Sequence, residues 1–155
     1  MSSQSAKTLS EFGAISVGGY TVSNKHQFRD LTAVGALTIA DSGKTFYLNS
    51  ATEFDTTLPA VADAAGFHAR FIVKAAPVGA SYTITSAAND IHGGISTSDV
   101  DGTAADPANT AGTAVDVITF VDGSAVIGDH IDIRCDGTFY YVTGLAAVAA
   151  GITLA

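Results

Sequence analysis

The sequence predicts an all-β fold, a single antiparallel β-sandwich or jelly-roll-like domain preceded by an extended N-terminal arm. From Leu31 onward, short runs of alternating apolar and polar residues are separated by turn signals every eight to twelve residues or so, a spacing typical of sandwiches and barrels. The 155 residues suit one domain, and no stretch has the composition of an interdomain linker. A hairpin pattern at residues 130–143 also supports the prediction of an all-β fold.

The predicted arm consists of residues 1–30. It shows no sustained period, and short apolar pieces that resemble one or two strands are scattered among Ser, Gly, Gln and Asn. Such a segment has too little apolar surface to order alone, so it either stays disordered or orders against a partner. The side chains that we expect to make the partner contact are Phe12, Ile15, Val17, Tyr20 and Val22.

The predicted sandwich consists of residues 31–155. A short helical turn follows Pro59 and ends at Gly66, and the turn at residues 77–79 joins the strands on either side into a second hairpin. Residues 96–114 almost lack large apolar side chains, which predicts a long exposed loop. The predicted strands outside the C-terminal hairpin are residues 34–39, 44–49, 53–58, 69–75, 81–86, 90–95, 115–121, 125–127 and 152–154.

The C-terminal hairpin has the clearest predicted register. Asp136-Gly137 favours a type I′ turn, and a two-residue loop there places Arg134 opposite Phe139. Opposed residues share a face, so the hairpin has one apolar and one mixed face. The apolar face, expected to line the core, carries Ile131, Ile133, Cys135, Tyr140 and Val142. The mixed face carries His130, Asp132, Arg134, Phe139 and Tyr141. Because this face combines aromatic and charged groups, we predict a subunit interface at Arg134, Phe139 and Tyr141.

The charge distribution disfavours nucleic acid as a partner. The net charge is −8, with +1 on residues 1–31 and −9 on residues 32–155, and an acidic body repels a phosphate backbone. No apolar run reaches the length of a membrane span, and the N-terminus lacks the apolar segment of a signal peptide. We therefore expect no membrane partner and synthesis in a cytoplasm, which the single Cys135 also suits. Only 14% of the residues are charged, which favours an oligomer that covers apolar surface.

The residue pattern contains no catalytic constellation. The four histidines have no Cys or His at ligand spacing, and residues 99–102 begin like a calcium loop that lacks its closing Glu. No glycine-rich phosphate loop opens a helix. The hairpin register directs Cys135 into the core, where a thiol acts as a small hydrophobic group. We predict a protein that is not an enzyme and holds neither a metal nor a cofactor.

Four segments of the chain resemble a group of phage proteins. They are KTFYLNSATEFDTTLPA at 44–60, ARFIVKAAPVGASYTIT at 69–85, NDIHGG at 89–94 and VDVITFVDGSAVIGDHIDIRCDGTFYYVTG at 115–144. These segments are similar to small virion proteins of tailed bacteriophages and prophages, in which a segment like the last one closes the β-domain. The resemblance covers roughly residues 40–144 and leaves the arm unmatched.

This resemblance implies a head decoration, or cement, protein. Such a protein is a small all-β subunit, usually a homotrimer, on the outer capsid surface at local three-fold positions, and it is made in the cytoplasm of the bacterial host. Its partners are the major capsid protein and further copies of itself, and we expect the arm to make much of the capsid contact. The alternative is a tail-tip or spike sandwich that binds a cell-surface glycan, with Phe139, Tyr140 and Tyr141 as an aromatic platform.

Overall fold

The computed structural model describes residues 27–50, 52, 54–98 and 112–155, and the backbone alone of Ala14–Val17, Tyr20–Ser23, Thr110 and Ala111. Two mixed β-sheets pack together, which confirms the predicted all-β sandwich. The strands are β1 (Ala14–Val17), β2 (Tyr20–Ser23), β3 (Phe28–Leu31), β4 (Gly35–Ala36), β5 (Thr45–Leu48), β6 (Phe54–Thr57), β7 (His68–Val73), β8 (Tyr82–Thr85), β9 (Ile91–Thr97), β10 (Thr110–Val115), β11 (Val117–Phe120), β12 (His130–Cys135), β13 (Tyr140–Ala146) and β14 (Ile152–Leu154). Short 3-10 turns cover Ile39–Asp41 and Val61–Asp63.

The larger sheet has the strand order β10-β9-β13-β12-β7-β5-β3, and the smaller one has the order β14-β11-β8-β6-β4. From β3 to β8 the chain alternates between the two sheets at every strand. Each crossing reverses the chain direction, so β3, β5 and β7 run parallel in one sheet, and β4, β6 and β8 run parallel in the other. The expectation of an antiparallel sandwich is therefore wrong for these strands, and also for β9 and β13, which pair in parallel.

The same crossing overturns the second predicted hairpin. β7 pairs with β5 and β12, whereas β8 pairs with β6 and β11 in the other sheet. Phe71 and Tyr82 are both fully buried, because each faces the common core from its own sheet. The turn after β7 thus carries the chain across the core edge, with Gly79 at a φ of 86°.

Inward-facing side chains of both sheets form one core. Aromatic rings make up much of it, in the pairs Phe46–Phe71, Phe54–Tyr82 and Phe67–Tyr140. Tyr82 and Tyr140 are buried, and each satisfies its hydroxyl on a backbone carbonyl, as burial requires. Tyr82 Oη donates to Ala75 O at 2.9 Å, and Tyr140 Oη donates to Pro59 O at 2.7 Å.

The C-terminal hairpin, β12–β13, forms with the predicted faces but a different register. Arg134 pairs with Tyr141 rather than Phe139, and Cys135 pairs with Tyr140, so the loop has four residues, 136–139. The Asp136 carboxylate holds this loop by accepting hydrogen bonds from Thr138 N at 2.7 Å and Phe139 N at 2.8 Å. The displacement is two residues, which leaves every side chain on its predicted face. The predicted core residues are all buried: Ile131, Ile133, Cys135, Tyr140 and Val142.

Most of the other strand predictions agree with the structure, with shifted ends. β5, β6, β7, β8, β9 and β14 fall within or beside their predicted ranges, and the helical turn is the 3-10 turn Val61–Asp63. Of residues 34–39 only Gly35–Ala36 form a strand, and residues 125–127 form none. The strand predicted at 115–121 breaks at Asp116, where the chain passes from the larger sheet to the smaller one. In β11, half-buried residues alternate with fully buried ones.

The predicted loop at 96–114 is strand at both ends. β9 continues to Thr97 and β10 begins at Thr110; residues 99–109 lie outside the described part. Small residues suit a strand here because space is short: a Cβ on Gly112 would lie 2.9 Å from Leu154 Cβ. At the other end of the domain, β3 begins at Phe28, three residues before the predicted boundary of the sandwich at Leu31.

Candidate binding surface

The outward side of the larger sheet is the candidate functional surface, called the outer face below. Its side chains form rows across the strands because register aligns the outward positions. One row runs through Asp30, Tyr47, Ile72, His130, Leu145 and Ser96. The next row runs through Phe28, Thr45, Arg70, Asp132 and Thr143. The last row runs through His68, Arg134, Tyr141 and His92.

The predicted interface residues lie together on the outer face. Arg134 and Tyr141 are cross-strand partners, and Phe139 follows in the connecting loop. Phe139 and Tyr141 remain 38% and 48% exposed, and the Phe139 ring packs edge-on against His92 at 4.6 Å between centroids. Tyr141 Oη donates to Asp136 at 3.0 Å, and this bond raises the pKa of Tyr141. The arrangement presents two fixed aromatic groups to solvent, with a guanidinium beside them.

A second exposed aromatic group lies at the β3 edge of the outer face. Phe28 is 70% exposed and meets the Tyr47 ring edge-on at 5.9 Å. Lys74 lies 5.8 Å from the same tyrosine ring and forms an ion pair with Asp30 at 2.6 Å. Sequence reasoning missed this cluster because it placed Phe28 in the arm. Residues 28–31 show no apolar and polar alternation, so no local signal marked them as a strand.

The outward side of the smaller sheet is more polar than the outer face. Its positions are mainly threonines: Thr57, Thr83, Thr85, Thr119 and Thr153. Asp55 accepts from Thr83 Oγ1 at 2.9 Å and from Thr85 Oγ1 at 3.1 Å. The exposed aromatic groups are thus concentrated on the larger sheet.

The predicted contact residues of the arm are described only in part. β1 and β2 form a two-stranded sheet, in which Ile15 lies opposite Val22 and Val17 lies opposite Tyr20. Among the described residues, these two strands pair with each other and with neither sheet of the sandwich. Phe12 lies outside the described residues. The strand pieces expected in the arm therefore exist as one hairpin.

The Cys135 thiol and the Tyr140 hydroxyl, two potentially reactive groups, are held in the core. Cys135 is 6% exposed, and burial raises the pKa of its thiol, so the thiolate is disfavoured. Burial also raises the pKa of Tyr140. Within the described ranges, no three His, Cys, Asp or Glu side chains gather as metal ligands would. In that same part of the chain, no helix has the length and apolarity needed to cross a membrane.

No protein-family profile, curated protein or solved structure matches this chain.

Proposed function

We propose that the protein decorates the head of a tailed phage, binds the outer capsid surface as a homotrimer and stabilises the shell by bridging capsomers. The observation that carries this proposal is the outer face, where aromatic and aliphatic groups stand exposed at the β3 edge and near β13. Phe28, Phe139, Tyr141 and Leu145 are 38% to 70% exposed on it. Aromatic side chains on a rigid sheet are typical of protein interfaces.

A cement protein stabilises a shell by adding contact area between its subunits, and it needs no chemical reaction to do so. A specific interface buries on the order of 1,600 Å². A trimer that contacts neighbouring capsomers adds such area across joints that packaged DNA pulls apart. Several weak contacts on one trimer also act together through avidity. The acidic body suits a protein that lies outside the shell and does not bind the DNA.

The two kinds of contact are assigned to different parts of the chain. The β1–β2 hairpin and its flanks, with Phe12, Ile15, Val17, Tyr20 and Val22, bind the major capsid protein. An isolated two-stranded hairpin is marginal in water, so docking on the shell stabilises it. Phe139 and Tyr141 make the contact between subunits, and Arg134, predicted with them, lines a depression on the β12 side of that contact.

A truncation tests the proposal. Deleting residues 2–24 removes the hairpin and spares β3, which begins at Phe28. The truncated protein should keep its β-sheet circular dichroism and its trimer mass but no longer bind heads that lack the protein. A Tyr141→Ser, Phe139→Ser double variant should give a folded monomer. Undiminished head binding by the truncated protein contradicts the role of the arm, and an intact trimer in the double variant contradicts the assigned interface.

The second candidate is a tail-tip or spike module that binds a glycan. It is favoured by Tyr141 and Phe139, which stand exposed beside His92 as a stacking platform. Copy number separates the two functions. A decoration protein is present in many copies on each particle, whereas a tail-tip protein is present in a few.

A further inference from the structure

A shallow depression of about 330 Å³ lies on the outer face between β5, β7 and β12. Its lining includes Tyr47 from β5, His68, Arg70 and Ile72 from β7, and Asp132 and Arg134 from β12. The register explains the arrangement. Arg134 lies opposite His68, and Asp132 lies opposite Arg70, so the four polar side chains form a square on two adjacent strands.

The depression concentrates positive charge in an acidic protein. Residues 32–155 carry a net charge of −9 and contain four Lys or Arg residues. Three of these four line the depression: Lys44, Arg70 and Arg134. Asp132 is the one carboxylate among its described lining residues. The local charge is therefore opposite in sign to that of the chain.

One of the three cations is available for a ligand. Lys44 pairs with Asp41 at 2.8 Å, and Arg70 pairs with Asp132 at 2.8 Å. Arg134 is exposed, and none of the ion pairs in the described part of the chain includes it. Its guanidinium can bind a carboxylate or phosphate with two parallel hydrogen bonds, a geometry that lysine lacks.

The glycine beside His68 keeps the depression open. Gly43 has a φ of 82°, and its N–H donates to His68 O at 2.8 Å. A Cβ at Gly43 would lie 3.6 Å from His68 Nε2. The absence of a side chain at this position therefore leaves the imidazole edge accessible from the depression.

The surroundings favour a sugar over a peptide strand. β5, β7 and β12 are each paired on both sides, so they offer no open edge for strand addition, and recognition must use side chains. Tyr47 and Ile72 are half-buried and give the depression an apolar wall. Its volume is at the lower end of the range of about 300–1,000 Å³ that is usual for small-molecule sites.

We propose that this depression binds an acidic oligosaccharide, with a carboxylate or phosphate group on Arg134 and a neighbouring sugar ring against Tyr47 and Ile72, across the row formed by Arg70 and Asp132. The inference goes beyond shell decoration and does not depend on it. A virion protein with such a site would attach weakly to acidic polysaccharide, and many copies would strengthen that attachment through avidity.

Calorimetric titration of the full chain with trigalacturonate tests the site. Arg134→Gln is the test variant, and Lys74→Gln is the matched control, because Lys74 is a cation on the same face that does not line the depression. Arg134→Gln should weaken binding about tenfold or more, and Lys74→Gln should leave it unchanged. Arg134→Lys should fall between them, because it keeps the charge and loses the paired hydrogen bonds. Unchanged melting temperatures show that the variants fold.

Further arms identify the ligand class and can overturn the proposal. Glucose 6-phosphate and inorganic phosphate separate a phosphate from a carboxylate ligand, and galactotriose tests the need for charge. A triglutamate peptide tests whether any carboxylate chain suffices. Equal binding of galactotriose, binding of the peptide alone, equal losses in Arg134→Gln and Lys74→Gln, or no binding to any anionic sugar would each contradict the proposal.

Discussion

At the scale of single residues, Gly93 lies where the β13 backbone leaves no space for a side chain. The pair Gly93-Gly94 looks like a turn that closes a short strand. In the structure both residues lie inside β9, parallel to β13, and Gly93 has a φ of 146°. A Cβ there would lie 1.9 Å from Val142 O. The sequence shows that the position is glycine, but it cannot show which backbone passes so close.

This contact predicts a large loss of stability for Gly93→Ala. The methyl group must displace the β13 backbone, which should cost more than about 3 kcal/mol of unfolding free energy, at the upper end of overpacking effects. Gly66→Ala is the matched control, since Gly66 also has a positive φ and nothing lies within 4 Å of its Cβ position. It should cost about 1–2 kcal/mol through backbone strain alone. Urea denaturation measures both, and equal costs would show that β13 does not pass as close as described.

At the scale of elements, the β12–β13 hairpin shows which part of a register a sequence can predict. Alternation determines the faces, so Cys135 and Tyr140 are correctly placed in the core and Tyr141 on the outer face. The loop length was wrong because the Asp136 side chain, rather than the Asp-Gly turn preference alone, organises residues 136–139. Gly137 still supplies the positive φ, at 94°.

The Asp136 loop predicts a specific response to acid. Hydrogen bonds from Phe139 N and Thr138 N hold the pKa of Asp136 below its ordinary value of 3.8. A carboxylate with a lowered pKa in the folded state contributes stability that is complete above the unfolded pKa and is lost as the pH falls through the folded pKa. The stability difference between the wild-type protein and Asp136→Ala should therefore be largest at neutral pH and shrink below about pH 3.8.

Thermal unfolding between pH 7 and pH 2.5 measures this difference. Asp63→Ala is a suitable control, since Asp63 is exposed and its side chain has no hydrogen bond in the described region. The control should remain close to the wild-type protein throughout. A gap between the wild-type protein and Asp136→Ala that stays constant down to pH 2.5 would mean that the carboxylate does not hold the loop.

At the scale of the whole molecule, the class of fold was predictable but the path of the chain was not. Alternating runs and turn spacing indicate strands, and they do not indicate which sheet a strand joins. β7 and β8 look like a hairpin in the sequence but lie in different sheets. The sequence cannot distinguish the two arrangements, because the pattern of alternation inside each strand is the same in both. Pairing between β3, β5 and β7 spans tens of residues, beyond the reach of local pattern.

The sequence predicted the part of the candidate surface that lies within one hairpin and not the part that long-range pairing adds. Arg134, Phe139 and Tyr141 were found together because they belong to one hairpin. His68 and Arg70 join Arg134 only through the pairing of β7 with β12, and Phe28 joins Tyr47 only through the pairing of β3 with β5. Long-range pairing therefore built the depression and the aromatic edge, and the sequence alone did not bring them together.

Cryo-electron microscopy of the phage particle that carries this protein tests most directly whether the protein stabilises the capsid. The account predicts three copies of the sandwich around each local three-fold position on the outside of the head. In that density the β1–β2 hairpin should lie against the capsid protein, and the β13 side of the outer face should lie between subunits. A head surface without this sandwich, or single copies confined to the tail, would contradict the account.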